Sequence, residues 1–501
     1  MNFVVSFGDR IVVVGLLIRG WGAGAYSDWA TLLAATGLFS LAELGFQIQY
    51  GNLLAAAHAR GDAAARQRTI GVGLFFYAAL AVLLLLPLAA AAAGLDLVKI
   101  FRLNRMAGEE AAAVFLLLGA TSVFHIARAG LSQIYRGRSE FHRGIFVDSA
   151  VSASTIASAV IAASAGATPV VLAAVYLAAE LVFGFGGMAF DIIRRYPGTR
   201  LVPALPRKAE LLAIGGALGF YALVQGLPTV WLNAPVLVTG WLALGGIGLV
   251  SFVVQRSLVN FGRNFATMLS VSAGVELAGF VHAGAMAQLA RGVEIVARLN
   301  ATLAGAMTAG FFLFAPAVIT LWTGKPQLAS LPIVGALILP AIAVAAALPI
   351  SMLCMYANRP RPPAIALCLQ TGLGIPLAYI GGHYWGVFGV ALGMAVGETI
   401  GSGVILPLLS APAFQIPYLP LALKCLAISA GTALWGIATG WWFRALLGGS
   451  GLAKLILFVL AWGLVGTLPP LFLALPPVAR ARLQNAVFTS FRYLNGTKSR
   501  Q

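Results

Sequence analysis

Charge is the scarcest property of this 501-residue chain: Asp, Glu, Lys and Arg together make 9% of it, and only 15 of these residues are acidic. About a quarter of a soluble domain is charged, so no stretch here reads as one. Cysteine is almost missing. Cys354, Cys368 and Cys425 lie in or beside apolar segments without metal-ligand spacing, which argues against a disulfide framework or a zinc site. There is no phosphate loop, no paired-carboxylate enzyme site and no Ser/His/Asp arrangement. What fills the chain is apolar: 60% is hydrophobic, in runs of membrane-spanning length from end to end. About 20 apolar residues cross the hydrocarbon. The runs are rich in Leu, Ala, Gly and Val and too continuous for barrel strands, so they predict an all-α polytopic membrane protein.

Spans are predicted near 3–20, 29–50, 70–93, 111–133, 145–165, 169–190, 210–231, 240–282, 300–322, 331–355, 364–384, 388–408, 421–442 and 453–474. That is about fourteen, the eighth being overlong. With the N-terminus in the cytoplasm, 20 of the 32 Lys and Arg fall in loops or the tail on the cytoplasmic side and seven on the other. This bias predicts cytoplasmic N- and C-termini. It also accounts for the net charge of +17 without nucleic acid as a partner.

The longest cytoplasmic connection, residues 194–208, is basic and punctuated by proline. It predicts a linker between an N-lobe of six helices (1–193) and a C-lobe of six (209–408). Two C-terminal helices (409–475) and a basic tail (476–501) follow, and the tail suits an anionic inner leaflet. A faint internal repeat fits this division. NLLAAAHARGDAAA (52–65) resembles VELAGFVHAGAMAQL (275–289), and YRGR (135–138) resembles YANR (356–359) at nearly the same offset. Glu180 and Glu398 fall at equivalent places of the repeat and predict structural ties within each lobe.

Within the overlong run, Arg256, Asn260, Arg263, Asn264, Thr267 and Ser270 recur at the spacing of one helical face. An Arg at bilayer depth costs about 2.5–3.5 kcal/mol on insertion scales, so the face must meet protein or a wet cavity. A second stripe, Thr36, Ser40, Glu43, Gln47 and Tyr50, occupies the second span. The repeat offset carries Thr36, Ser40 and Glu43 onto Asn260, Asn264 and Thr267, as expected if both helices line one cavity.

Several stretches carry a family likeness: RGWGAGAYSDW (19–29), AELGFQIQYGNLLAAAHARGDAAARQR (42–68), QIYRGRSEFHRG (133–144) and ITLWTGK (319–325). They resemble the Wzx-like polysaccharide-export flippases of the multidrug/oligosaccharidyl-lipid/polysaccharide (MOP) superfamily. The resemblance implies fourteen helices in two pseudo-symmetric lobes plus two C-terminal helices, around a V-shaped cavity in the bacterial inner membrane. It implies transfer of an undecaprenyl-diphosphate-linked oligosaccharide from the cytoplasmic to the periplasmic leaflet, driven by an H+ or Na+ gradient. Membrane lipids and other polysaccharide-export proteins would be its partners. No bound cofactor or metal is implied. Lipid II flippases are a sister branch of that family. Some of those hold sodium on the seventh and eleventh spans, where this chain offers Gln225, Gln370 and Thr371 without a mid-span carboxylate, so that site is not expected here.

A diphosphate needs fixed cations at membrane depth, and the guanidinium fork suits it. Arg256 and Arg263 are the first candidates, because Asn260 and Asn264 share their face for sugar hydroxyls. Arg10 and Arg128 come next, with His125 facing the same way as Arg128. The competing reading of each is an internal salt bridge. Glu43 and Gln47 are the candidates for proton coupling or gating. Two rivals remain. A multidrug antiporter of the same superfamily would want an acidic cavity for organic cations. A membrane glycan polymerase or ligase would want a large periplasmic loop, whereas the longest here is 94–110.

Overall fold

The computed structural model describes residues 12–43, 45–208, 210, 219–447, 452–475, 477 and 480. Among them every regular element is helical. In chain order these are α1 (Val14–Gly37), α2 (Phe46–Ala59), α3 (Ala63–Gly94), α4 (Leu97–Phe101), α5 (Gly108–Gly137), α6 (Phe141–Ser164), α7 (Pro169–Ala179) and α8 (Gly187–Arg195). There follow α9 (Gly219–Trp241), α10 (Ile247–His282), α11 (Met286–Thr323), α12 (Leu331–Ala343), α13 (Leu348–Tyr356) and α14 (Arg361–Glu398). The chain closes with α15 (Leu406–Ser410), α16 (Tyr418–Leu447), α17 (Leu452–Trp462) and α18 (Leu468–Ala474).

Among the described residues, 10 helical stretches are long and apolar enough to cross a membrane, or 11 if α12 and α13, bent by 55°, form one span. Pro340 and Pro349 flank that bend. The fourteen predicted spans are therefore not all recovered, for local reasons. The predicted first span starts in residues outside those described, as do residues 211–218 of the seventh. The predicted gap between the first two spans is helical, because α1 runs through it with a break at Gly22 (φ 81°, ψ 169°).

The predicted second span also ends early. After Gly37 the chain tightens into a 3-10 turn, Leu38–Glu43, and Gly45 takes a left-handed φ of 76° before α2 begins. Two glycines within nine residues supply the break. The stripe from Thr36 to Tyr50 is thus not one α-helical face. Thr36 and Ser40 donate to their own backbone, to Leu32 and Gly37, as short hydroxyl side chains do in apolar helices. Tyr50 is buried beside Phe46, with ring centroids 5.7 Å apart.

One stretch, Arg361–Ser410, runs 50 residues. A straight helix of that length measures about 75 Å, more than twice the hydrocarbon thickness. Trp385 and Gly386 leave the helical region, and the chain doubles back. A Cβ on Gly389 would lie 1.9 Å from the Gly381 carbonyl oxygen, one on Gly393 2.3 Å from the Ala378 nitrogen, and one on Gly397 2.4 Å from the Gly374 Cα. These pairs march along an antiparallel hairpin whose arms touch backbone to backbone, the close approach that small residues allow.

The chain divides into two compact units. The first holds Met1–Ser257, Ala317–Ser330 and Leu367–Gly397; the second holds Leu258–Pro316, Leu331–Ala366 and Glu398–Gln501. The first unit's core gathers Phe46, Leu54, Tyr77, Leu131, Tyr135 and Met188 from α2, α3, α5 and α8. The second unit's core gathers Leu277, Val293, Ile350, Cys354, Phe414 and Cys425 from α10, α11, α13, the 3-10 turn Pro412–Phe414 and α16. Large apolar side chains such as Leu86, Ile161 and Leu434 point outward at 67–70% exposure, as lipid-facing residues do and as a water-facing surface rarely would.

The basic linker is extended and pinned to α3. Gln67 Nε2 donates to the Arg200 carbonyl (2.6 Å), the Arg200 N–H donates back to Gln67 Oε1 (3.1 Å), and the Ala204 N–H donates to the Gly71 carbonyl (2.8 Å). Only glycine fits at position 71, because a Cβ there would sit 2.7 Å from that of Ala204. Arg68 closes the clasp on Glu210. Its hydrogen bond, with help from the Arg207 N–H, holds the Glu210 carboxyl below the usual carboxylate range.

Candidate functional site

In the first unit, α10 buries Arg256 to 7% exposure. Its guanidinium donates to the carbonyls of Trp231 (2.7 Å) and Leu232 (2.6 Å) on α9. The reason lies in α9, which contains Pro235. Proline has no N–H, so the carbonyl four residues back, that of Trp231, loses its helical donor. Arg256 supplies one. Nearby, Gln255 and Ser251 both donate to the Leu328 carbonyl (3.1 and 2.9 Å), and the Ser330 N–H donates to Gln255 (3.1 Å). Thus the first part of α10 is tied through polar groups to α9 and to residues 328–330.

In the second unit, Arg263 and Glu398 form a two-pronged ion pair: Nη1 donates to Oε2 at 3.1 Å and Nη2 donates to Oε1. Asn264 is exposed and Asn260 half-buried. Thr267 is half-buried beside the pair, while Ser270 is buried and accepts from Asn300 Nδ2 (2.8 Å). A cavity of about 40 Å³ opens here, lined by Arg263, Thr267, Asn300, Met307, Val344 and Leu348 among others. A water needs roughly 10–15 Å³ by this measure, so the cavity suits two or three waters and no sugar. Asn300 Oδ1 is buried in the wall without a protein partner. Sequence reading passed over Asn300; its signal was an amide at the start of the apolar stretch 300–322 of α11.

The first unit holds a second polar cluster. Arg128 on α5 is 5% exposed. Its Nε donates to Glu180 Oε1 (2.6 Å), its Nη1 donates to Asp148 Oδ1 on α6, and its Nη2 lies 2.9 Å from His125 Nδ1. Glu43 accepts from the Tyr77 hydroxyl (3.0 Å), and Gln47 donates to the Ala129 carbonyl (3.2 Å). Of the sequence candidates, then, Arg128, Glu43 and Gln47 lie on or beside one network. Arg256, on α10, bonds instead to α9 carbonyls, and Arg263 belongs to the second unit. Arg10 lies outside the described residues.

Glu180 and Glu398, read from the repeat as equivalents, share a local geometry. Glu180 opens a π-helical turn, Glu180–Gly186, and Glu398 immediately precedes one, Thr399–Ile405. Each accepts from a buried or half-buried arginine. A π turn leaves part of the backbone ladder out of register and often marks a functional position. Asp28, also missed in the sequence, is structural: its carboxylate, 1% exposed, accepts the N–H groups of Asn104, Arg105 and Met106.

No family model and no curated protein matches the chain. Solved structures do. An inward-facing multidrug-resistance MATE family transporter of the MOP superfamily superposes with a TM-score of 0.71 at 16% identity, over 83% of this chain and 95% of that one. The lipid II flippase MurJ, in an inward closed conformation, gives 0.71 at 13% identity over 93% and 96%. A MOP superfamily transporter from Pyrococcus furiosus, described as having a binding pocket of reversed polarity, gives 0.53 at 17% over 82% and 92%. At these identities the likeness is one of fold: the chain has the fold of MOP superfamily transporters.

Proposed function

We propose, from that fold, that this chain is a transporter working by alternating access. We further propose that it flips an undecaprenyl-diphosphate-linked oligosaccharide from the cytoplasmic to the periplasmic leaflet of a bacterial inner membrane for surface-polysaccharide export. The observation that carries the substrate class is the polar face of α10. Two arginines seven residues apart, Arg256 and Arg263, share that helix with Asn260 and Asn264. Guanidinium groups suit a diphosphate and amides suit sugar hydroxyls. In this reading the six-helix halves expected from the repeat are the moving parts, Glu43 and Gln47 serve coupling or gating, and both termini are cytoplasmic. Arg128, and Arg10 beyond the described residues, act as auxiliary cations along the substrate's path. Membrane lipids and other polysaccharide-export proteins are the partners.

A second reading has an observation of its own. Arg128 meets two carboxylates, Asp148 and Glu180, in the unit that also holds Glu43 on Tyr77, and a surplus of carboxylates favours an organic cation, as in a multidrug antiporter. A glycan polymerase or ligase draws no support from a transporter fold.

The test is lipid-linked glycan translocation in cells deleted for this gene, complemented at matched membrane expression. Wild type is compared with Arg256→Ala/Arg263→Ala and with Arg60→Ala, an exposed loop arginine. Accumulation of lipid-linked glycan on the inner leaflet, rescued by wild type and Arg60→Ala but not by the double variant, is the expected result. Full rescue by the double variant refutes the α10 assignment. Normal export in the deletion strain together with drug sensitivity favours the antiporter.

A further inference from the structure

Three arginines of the first unit meet at one segment, Tyr196–Arg200, which runs between the start of α3 and the end of α5. On one side Arg138, the residue after α5, lies over the Tyr196 ring, 4.2 Å from its centroid, and its Nη2 donates to Thr199 Oγ1 (2.8 Å). On the other side Gln67 of α3 holds the Arg200 main chain in both directions. Arg66, next to Gln67, is half-buried, and Arg200 is exposed. Five residues of linker thus gather Arg66, Arg138 and Arg200.

The carboxylates at this end serve other groups. Glu140 pairs with Arg195 (3.4 Å), Asp191 with Arg143 (2.6 Å) and Glu210 with Arg68 (3.0 Å), while Asp62 caps α3 through the Ala65 N–H (2.8 Å). Among the described residues no ion pair includes Arg66, Arg138 or Arg200. Arg138 Nε is buried without an acceptor. Burial first, and Arg66 second, hold the Arg138 guanidinium below the ordinary arginine value. Like charges that a fold holds together need a counter-charge from outside it.

Depth and shape say which. α3 has 32 residues and α5 has 30, about 45–48 Å each, against about 40–45 Å for a bilayer with its headgroups. Their ends therefore reach the level of lipid phosphates, and the guanidinium fork binds phosphate oxygens in pairs. From Gln67 to Gly71 the linker follows α3 one turn deeper, and there it exposes Val202 (62%) and then Leu205 (72%). Free phosphate would leave those side chains in water, whereas acyl chains cover them.

We infer that Arg66, Arg138 and Arg200 bind the phosphate of an anionic phospholipid, and that the bound lipid fastens the linker to α3 and α5. The headgroup supplies the counter-charge at Tyr196–Arg200, and the chains lie on Val202 and Leu205. The site lies in the first unit alone and needs no transported substrate, so it stands or falls apart from the transport reading.

The test is hydrogen exchange of residues 196–206 in the full chain. It is measured in phosphatidylcholine nanodiscs, in nanodiscs that also hold phosphatidylglycerol, and in phosphatidylcholine nanodiscs with added inorganic phosphate. Phosphatidylglycerol should slow exchange by about threefold or more, and inorganic phosphate should not. Arg66→Gln/Arg138→Gln should abolish the slowing. Arg60→Gln/Arg136→Gln, which removes the same charge from exposed positions, should keep it. No effect of phosphatidylglycerol on the wild type overturns the inference. Equal slowing by inorganic phosphate overturns the lipid, and equal loss in both double variants overturns the three arginines. The wild-type comparison among the three media holds whether or not either variant folds.

Discussion

Replacing Glu398 by alanine strands a guanidinium. Arg263 is 24% exposed at its side chain and Glu398 12%, so the pair is largely withdrawn from water and solvent relieves only part of the loss. Breaking a buried pair from one side costs about 3–5 kcal/mol, and the residual exposure of Arg263 places this case near the lower end. The second unit contains about 200 residues. At that size about 3 kcal/mol corresponds to a Tm shift of roughly 6–12 °C. Thermal unfolding of purified protein, followed by loss of the monodisperse peak, reads the shift. Arg263→Met alone should cost a similar amount by stranding the carboxylate. A double variant that keeps volume, Glu398→Leu with Arg263→Met, should recover to within about 1 kcal/mol of wild type, because apolar groups of similar volume commonly replace a buried pair without loss. If the double variant falls by the sum of the single shifts, the two side chains are not coupled and the reasoning fails.

Other perturbations test other parts of the fold. Gly389→Ala drives a methyl group into the Gly381 carbonyl and should cost more than about 2 kcal/mol, whereas Gly372→Ala on the same helix meets nothing within 4 Å and should leave the Tm unchanged; equal shifts would refute the hairpin contact. Asp28→Ala leaves three N–H groups without their acceptor and should cost roughly 3 kcal/mol or more, read by the same thermal assay. The linker clasp should be pH-sensitive. Because Arg68 depresses the Glu210 carboxyl, the clasp's stabilisation is present above the ordinary carboxylate value of about 4.5 and is lost as pH falls through the depressed one. Limited proteolysis across 200–210 should therefore accelerate on acidification, by less than about 1 kcal/mol of opening free energy at this exposed pair, and Glu210→Gln should abolish the dependence.

Much of the helical plan was legible in the sequence, because hydropathy reports length and burial together. The gap between the predicted eleventh and twelfth spans falls on Trp385–Gly386, where the hairpin turns. The polar face of α10 and the pairing of Glu180 and Glu398 as equivalents were also visible. The break between Gly37 and Phe46 was not, since glycines are as common inside membrane helices as at their ends and an averaged hydropathy passes over them. Partners were the least legible part. Arg263 and Glu398 lie 135 residues apart in the chain, and Arg128 and Glu180 lie 52 apart. Spacing along a helix says which way a side chain points but not what stands opposite. The link from Pro235 to Arg256 could be half read: proline identifies the carbonyl that loses its donor, and only the fold supplies the new one.

The glycine seam of α14 also bears on how the chain enters its membrane. Arms that meet at Gly374, Gly381, Gly389 and Gly397 interpose no side chains whose packing must first be sorted among competitors. Their partner is the neighbouring stretch of the same chain, available as soon as both have left the ribosome. Such a pair can be inserted as one unit, because only the short turn at residues 385–386 separates its arms.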